Sequence, residues 1–223
     1  MKTEYSITNK ESFLRAHELY NAKEYAQALA IYQSLDNKTA AIFYNMGNCA
    51  YKLGQYTDAR IYWKRAARNA SPTQRADIAH NIQALDQKIG IEHPESNGLL
   101  CRGLLYTHSV SLLFLQLLFL FCWFAFFIFM RRVKKYFLLF LFIIINSILG
   151  AIILYRYAHA CSSVGIVTAS QITVHAGPDS SYHTVGTMSA PAECVIKQAQ
   201  GDWYKVKSGI LVGWIKKDVC ELV

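Results

Sequence analysis

Two uninterrupted apolar runs constrain this chain more than any other feature. Val110–Met130 reads VSLLFLQLLFLFCWFAFFIFM, with one amide, Gln116, and no charge. Tyr136–Leu154 reads YFLLFLFIIINSILGAIIL, and its polar side chains are Tyr136, Asn146 and Ser147. At roughly 1.5 Å per residue, a helix over either run reaches about 30 Å, the thickness of a bilayer core. A buried core helix is the competing reading for one such run. Two of them back to back favour a transmembrane α-hairpin, with helices over 109–130 and 136–155. Polar groups in lipid seek partners, so Gln116 and Asn146 are expected to meet inside the hairpin or to bind a partner's span.

Charge agrees with that reading. The chain holds 23 Lys and Arg against 15 Asp and Glu, net +8, yet residues 1–100 hold 12 basic and 10 acidic, and residues 160–223 hold 5 of each. The other basic residues, Arg102, Arg131, Arg132, Lys134, Lys135 and Arg156, flank the apolar runs. A nucleic-acid binder gathers its basic residues on a folded surface to neutralise several phosphates, so no nucleic-acid partner is expected. The excess charge instead attends the lipid bilayer. Short loops rich in Lys and Arg stay in the cytoplasm, which makes 131–135 a cytoplasmic loop with Arg131, Arg132, Lys134 and Lys135 as topology determinants. Both termini then face the periplasm or exterior, and the expected location is a bacterial inner (cytoplasmic) membrane. The N-terminal MKTEYSITNKESFLRAH has no apolar signal-peptide region. Export of the first domain then rests on a leader upstream of this sequence, or on the first span drawing the tail across. The inverted arrangement, a cytoplasmic-facing membrane adaptor, is the third option.

Residues 9–90 repeat themselves. LYNAKEYAQALAIY (19–32) aligns with AYKLGQYTDARIYW (50–63), pairing Tyr20 with Tyr51, Tyr25 with Tyr56, Ala28 with Ala59, and Tyr32 with Trp63. Small Ala28 and Ala59 let paired helices approach, while Tyr32 and Trp63 fill the space between repeats. The second unit resembles the tetratricopeptide repeat (TPR) at Phe43, Met46, Gly47, Ala59, Trp63 and Ala66, with Pro72 closing it. The first unit departs more, with Ala16 where the family has Gly. Ser71-Pro72 reads as an N-cap and a first-turn proline, opening a capping helix over Thr73–Gly90. Two repeats and a cap make a small all-α TPR solenoid. A linker with turn chemistry, 91–108, follows.

Residues 164–223 change character. Short β-rich runs separated by Gly, Pro and Asp turns predict five strands in a small all-β barrel. ITVHAGPDSSYHTVGTM, with Gly177-Pro178, Trp203-Tyr204 and Gly213-Trp214 in order, resembles the bacterial SH3 domain; His175 replaces that family's usual basic residue. The fold class is therefore multidomain: TPR solenoid, membrane hairpin and SH3-like barrel.

Catalytic and metal-binding patterns do not emerge. The six cysteines, Cys49, Cys101, Cys122, Cys161, Cys194 and Cys220, form no C-x-x-C pair and no zinc-type spacing with histidine. Cys194 and Cys220 pair as a disulfide in one reading of an exported barrel and stay free in the other. Asp58, Asp77 and Asp86 read as solvated helix-surface carboxylates. No phosphate loop, nucleophile elbow or carboxylate pair is seen, so neither an enzymatic activity nor a cofactor is expected. What remains is binding. Asn45, Asn48 and Lys52 are candidates for a protein-binding groove, because residues three or four apart share a helix face and amides can pair with a peptide backbone. Tyr182, Trp203, Tyr204 and Trp214 are the candidate ligand-binding aromatics of the SH3-like surface.

The order of TPR, basic-looped hairpin and SH3-like domain, with YNMGNCAYKLGQYTDARIYWKRA and DIAHNIQAL, resembles the BatE family of bacterial aerotolerance (Bat) operons. That resemblance implies a non-enzymatic scaffold in an envelope-stress complex with von Willebrand A-type Bat proteins. A peptidoglycan or wall-peptide ligand for the SH3-like domain is a further expectation. The rival is an SH3-like wall-sensing subunit that regulates a peptidoglycan enzyme.

Overall fold

The structure, a computed structural model, describes residues 2–91, 111–130, 136–160 and 163–223. The basic loop with Arg131, Arg132, Lys134 and Lys135, the linker beyond Ile91, Cys101 and Cys161 lie outside the described residues. Met1–Glu92 and Ser163–Val223 cluster into one compact unit, and His93–Ser162 into another.

Helices α1 (Lys2–Asn21) and α2 (Tyr25–Ser34) form one pair, and α3 (Ala40–Lys52) and α4 (Tyr56–Asn69) a second, with α5 (Pro72–Ile89) packed on α4. The sequence repeat has its counterpart in the backbone. Lys23 and Gly54, at matching positions, turn each pair with φ of 66° and 78°. Matching tyrosines flank those turns, with ring centroids 5.3 Å apart for Tyr20–Tyr25 and 5.9 Å for Tyr51–Tyr56. A left-handed backbone costs an ordinary residue about 1–2 kcal/mol, and glycine much less. Lys23→Gly should therefore stabilise the chain by about 0.5–1 kcal/mol after glycine's extra unfolded-state entropy is counted, measurable by urea denaturation.

Helix ends follow the local chemistry. Thr39 Oγ1 accepts from Ile42 N–H at the start of α3. Ser71 and Gln74 form a reciprocal capping box ahead of Pro72, satisfying two backbone donors that the helix itself cannot. The capping helix thus begins at Pro72, one residue before the expected Thr73.

Packing explains the small residues. Ala16, Ala28 and Ala59 are fully buried, as are Tyr32 and, nearly, Trp63. A Cβ on Gly47 would stand 2.4 Å from Trp63 Cδ1, so this position must lack a side chain for α3 and α4 to close. Ala16 occupies the matching place in the first pair, where the smaller Tyr32 stands in for Trp63 and leaves room for a methyl group. Asp86 does not lie on a solvated surface. It is 2% exposed and ion-paired with Arg60 of α4, itself 1% exposed, because a charge turned inward between two helices needs an opposite charge there. Asp58 and Asp77 are exposed.

In the second unit, α6 (Leu112–Met130) packs on α7 (Tyr136–Ala160), with Phe126 stacked on Phe142 at 4.7 Å and Phe119 beside Gly150. Large apolar side chains stand in the open, among them Phe114, Leu120, Phe121 and Phe124 on α6 and Phe140, Ile145, Ile148 and Leu154 on α7. Among the described residues, no helix is long and apolar enough to cross a membrane. Asn146 donates to the Phe142 carbonyl of its own helix, and Gln116 is exposed.

The C-terminal region is an antiparallel sheet of seven strands: β1 (Ser163–Val167), β2 (Ile172–His175), β3 (Thr184–Met188), β4 (Glu193–Gln200), β5 (Trp203–Ser208), β6 (Leu211–Lys216) and β7 (Cys220–Leu222). The expectation of a closed five-stranded barrel is corrected here. The order is β3-β2-β6-β5-β4-β1-β7, with β3 and β7 as open edges. β2 meets β6 through one residue pair, His175 opposite Trp214, and bulges follow Val174 and Ile196. Bulges bend their strands, and the sheet curls over one core without pairing its edges. All seven strands feed that core, through Val167, Val174, Met188, Cys194, Val206, Ile215 and Cys220.

Cys194 and Cys220 are free thiols with their sulfurs 3.8 Å apart. They lie on the two strands flanking β1 and meet over Gly165, where a Cβ would stand 2.4 Å from Cys220 Sγ. Strands flanking a third are about 9.6 Å apart, beyond the roughly 7 Å that a disulfide spans between Cα atoms. The pair is a packing contact. Its hydrogen bond and burial hold the Cys194 thiol far above its usual value.

Candidate functional site: a cleft on the helical stack

A cleft of about 280 Å³ opens among α1, α3, α4 and α5. Tyr20 comes from α1, Tyr44, Asn48, Tyr51 and Lys52 from α3, Trp63 from α4, and Asn81 with Ala84 from α5. Helical spacing puts Tyr44, Asn48, Tyr51 and Lys52 on one side of α3, because positions three, four and seven apart align.

The polar groups are held in fixed orientations. Asn48 Oδ1 accepts from Trp63 Nε1 at 3.0 Å and from Asn81 Nδ2 at 3.3 Å. The same Asn81 nitrogen donates to the Tyr44 hydroxyl at 3.2 Å. Those bonds occupy both lone pairs of the Asn48 carbonyl, so Asn48 offers the cleft its amide N–H groups. Among the described residues, the Asn81 carbonyl oxygen is left to accept. One donor and one acceptor held side by side suit the N–H and C=O of an extended peptide, and Lys52 adds a positive charge at the rim. Burial raises the Tyr20 hydroxyl above its ordinary value and pushes that of Tyr32 up to about 12. Lys88 lies over the Tyr51 and Tyr56 rings at 4.9 and 5.2 Å, a second cation beside the cleft.

Of the groove residues expected from sequence, Asn48 and Lys52 line the cleft, whereas Asn45 donates to the Tyr32 hydroxyl at 3.3 Å, between α2 and α3. Tyr20, Tyr44, Tyr51, Trp63 and Asn81 were not among those expectations. The repeat itself carried a signal for two of them, since Tyr20 and Tyr51 occupy matching positions.

The four sheet aromatics do not form one surface. Tyr182 is exposed and its ring covers Gly177. Trp203 is half-buried, with its ring edge-on to His175 at 5.5 Å, and His175 Nδ1 lies 2.9 Å from the Tyr182 carbonyl oxygen. Tyr204 lies opposite Ile215 and packs against the core, and Trp214 is buried with Lys205 Nζ 6.0 Å from its ring centroid. His175 lies opposite Trp214, so Tyr182, Trp203 and Trp214 are the candidates gathered around His175, and Tyr204 stands apart.

Comparison with known proteins adds a class to this geometry. Residues 40–71, spanning α3 and α4, match the tetratricopeptide repeat. The crystal structure of PcrH in complex with the chaperone binding region of PopB resembles the chain with 22% identity and a TM-score of 0.33, covering 38% of this chain and 68% of that one. No curated protein matches the chain. A helical region carrying a tetratricopeptide repeat, followed by a separate antiparallel sheet domain, is therefore the architecture, and a repeat of this kind points to protein interaction.

Proposed function

We propose that this protein is a membrane-anchored, non-enzymatic scaffold whose helical cleft binds an extended segment of a protein partner. The carrying observation is the cleft, in which the Asn48 amide and the Asn81 carbonyl are oriented by bonds to Trp63 and Tyr44 and left available to a peptide backbone. Lys52 and Lys88 make an acidic segment the favoured chemistry.

Anchoring is supported by the uncharged runs Val110–Met130 and Tyr136–Leu154 and by the apolar side chains that α6 and α7 hold open on faces turned away from each other. Apolar exposure on that scale requires a cover of lipid or protein. A two-pass hairpin returns the chain to the side it left. The basic loop puts that side outside the cytoplasm. Alkaline phosphatase fused after Val223 should be active, and an expressed but inactive fusion overturns that orientation.

The sheet holds a cell-envelope or protein ligand at Tyr182 and Trp203, in the manner its resemblance to bacterial SH3 domains implies. A Bat-type complex with von Willebrand A-type partners is the specific form of this proposal. Co-isolation of such proteins from membranes supports it. Sedimentation with purified peptidoglycan, without them, favours the wall-sensing subunit instead.

A further inference from the structure

The β5–β6 hairpin carries charge and apolar surface that the helical cleft does not use. Val206 and Ile215 enter the core of the sheet, and Tyr204 packs on it. Side chains alternate along a strand, so Trp203, Lys205 and Lys207 share the other face of β5, and Val212, Trp214 and Lys216 that of β6. The register sets Trp203 opposite Lys216, Lys205 opposite Trp214, and Lys207 opposite Val212. Directly opposed residues lie on one face, so cations and apolar groups alternate across it. Lys205 Nζ stands 6.0 Å from the Trp214 ring centroid. At the turn between the strands, Ile210 is fully exposed, and Val212 keeps 46% of its surface in solvent.

Charge is segregated over the sheet. Residues 203–217 hold four lysines and no acidic residue. Among the described residues, Lys205, Lys207 and Lys216 make no ion pair. Glu193 and Glu221 are engaged elsewhere, by α4: Lys64 Nζ lies 2.7 Å from Glu193 Oε2, and Arg65 Nη2 lies 2.6 Å from Glu221 Oε1. Asp179 accepts from the Ser181 N–H in the turn before β3. Asp202 and Asp218 lie beyond the end of the hairpin opposite Ile210. The Ile210 end is therefore both positive and apolar.

We infer that this hairpin docks on an anionic phospholipid surface, with Ile210 and Val212 entering the headgroup layer and Lys207, Lys205 and Lys216 meeting lipid phosphates. Contact with a lipid interface draws on buried apolar area together with attraction to anionic headgroups, and the hairpin presents both side by side. Chain length favours lipid over an acidic protein as the occupant. β1 begins at Ser163, three residues after α7 ends at Ala160, and three residues reach at most about 11 Å. On the anchored reading proposed above, which this step rests on, the membrane is thus the anionic surface tethered close to the sheet at high effective concentration.

Photocrosslinking of the full chain in lipid nanodiscs tests this. Benzoylphenylalanine is placed by stop-codon suppression at Ile210 or, as a control within α7, at Ile143, and the adducts are read by mass spectrometry. In discs of phosphatidylglycerol mixed with phosphatidylcholine, position 210 should join a lipid. The yield should fall about fivefold in discs of phosphatidylcholine alone, in molar salt, and in Lys205→Gln with Lys207→Gln. A lipid adduct at 143 with none at 210 would overturn the docking and leave the anchoring intact. Lipid adducts at neither position would overturn both. An adduct at 210 that is indifferent to lipid charge, salt and the two lysines, or that joins a second copy of the chain in place of lipid, would overturn the recognition of anionic lipid.

Discussion

Asp86→Ala should destabilise the folded chain by about 3–5 kcal/mol, the range for removing one partner of a buried ion pair. The reason lies on α4, where Arg60 is 1% exposed and carries a guanidinium that burial already disfavours. Without the Asp86 carboxylate, that charge keeps, among the described residues, Glu193, which is itself partly in water. The lower end of the range is therefore expected. Replacing both partners by apolar residues of similar size, Arg60→Met with Asp86→Leu, should come close to the original stability, because both desolvation penalties disappear together. Urea denaturation of the three chains checks the pattern. A loss below about 1 kcal/mol for Asp86→Ala would mean that the pair is not buried in solution.

Trp63→Ala should cost about as much, roughly 3–5 kcal/mol, through lost burial and the cavity it leaves. The ring closes against Gly47, lies 5.7 Å from Tyr51, and donates the hydrogen bond that orients Asn48. Its loss should therefore weaken binding in the cleft beyond the effect on stability. Gly47→Ala probes the same contact from the other side. The added methyl group meets the indole well inside van der Waals distance, and overpacking of this kind costs about 1–3 kcal/mol.

The helical region was largely legible in the sequence because its repeat is local. Tyr20 with Tyr51, Ala28 with Ala59, and Tyr32 with Trp63 recur at one spacing, and Ser71-Pro72 announces α5 by capping chemistry alone. The site was half legible. Asn48 and Lys52 lie on α3, where helical period predicts a shared face. Asn81 comes from another helix, and its role depends on how α5 packs, which no local pattern encodes. Asp86 shows the limit most clearly: a carboxylate on a helix reads as solvated until its neighbour across the helix pair is known. The same holds for the sheet. Strand-forming runs were visible, but whether edges meet depends on bulges at Val174 and Ile196 and on one pairing between β2 and β6. Charge placement in the repeat and the sheet was read separately, so the pairing of Lys64 with Glu193 had no signal in either segment.

The account turns on whether the helical cleft holds a protein partner. Membranes from cells producing the tagged full chain, or the same chain with Asn48→Ala and Lys52→Glu, should be solubilised and the co-isolated proteins compared by mass spectrometry. The account predicts a protein that the unaltered chain retains, that the double variant loses at equal expression and helical content, and that Tyr182→Ala leaves bound. Retention of every partner by the cleft variant would contradict it.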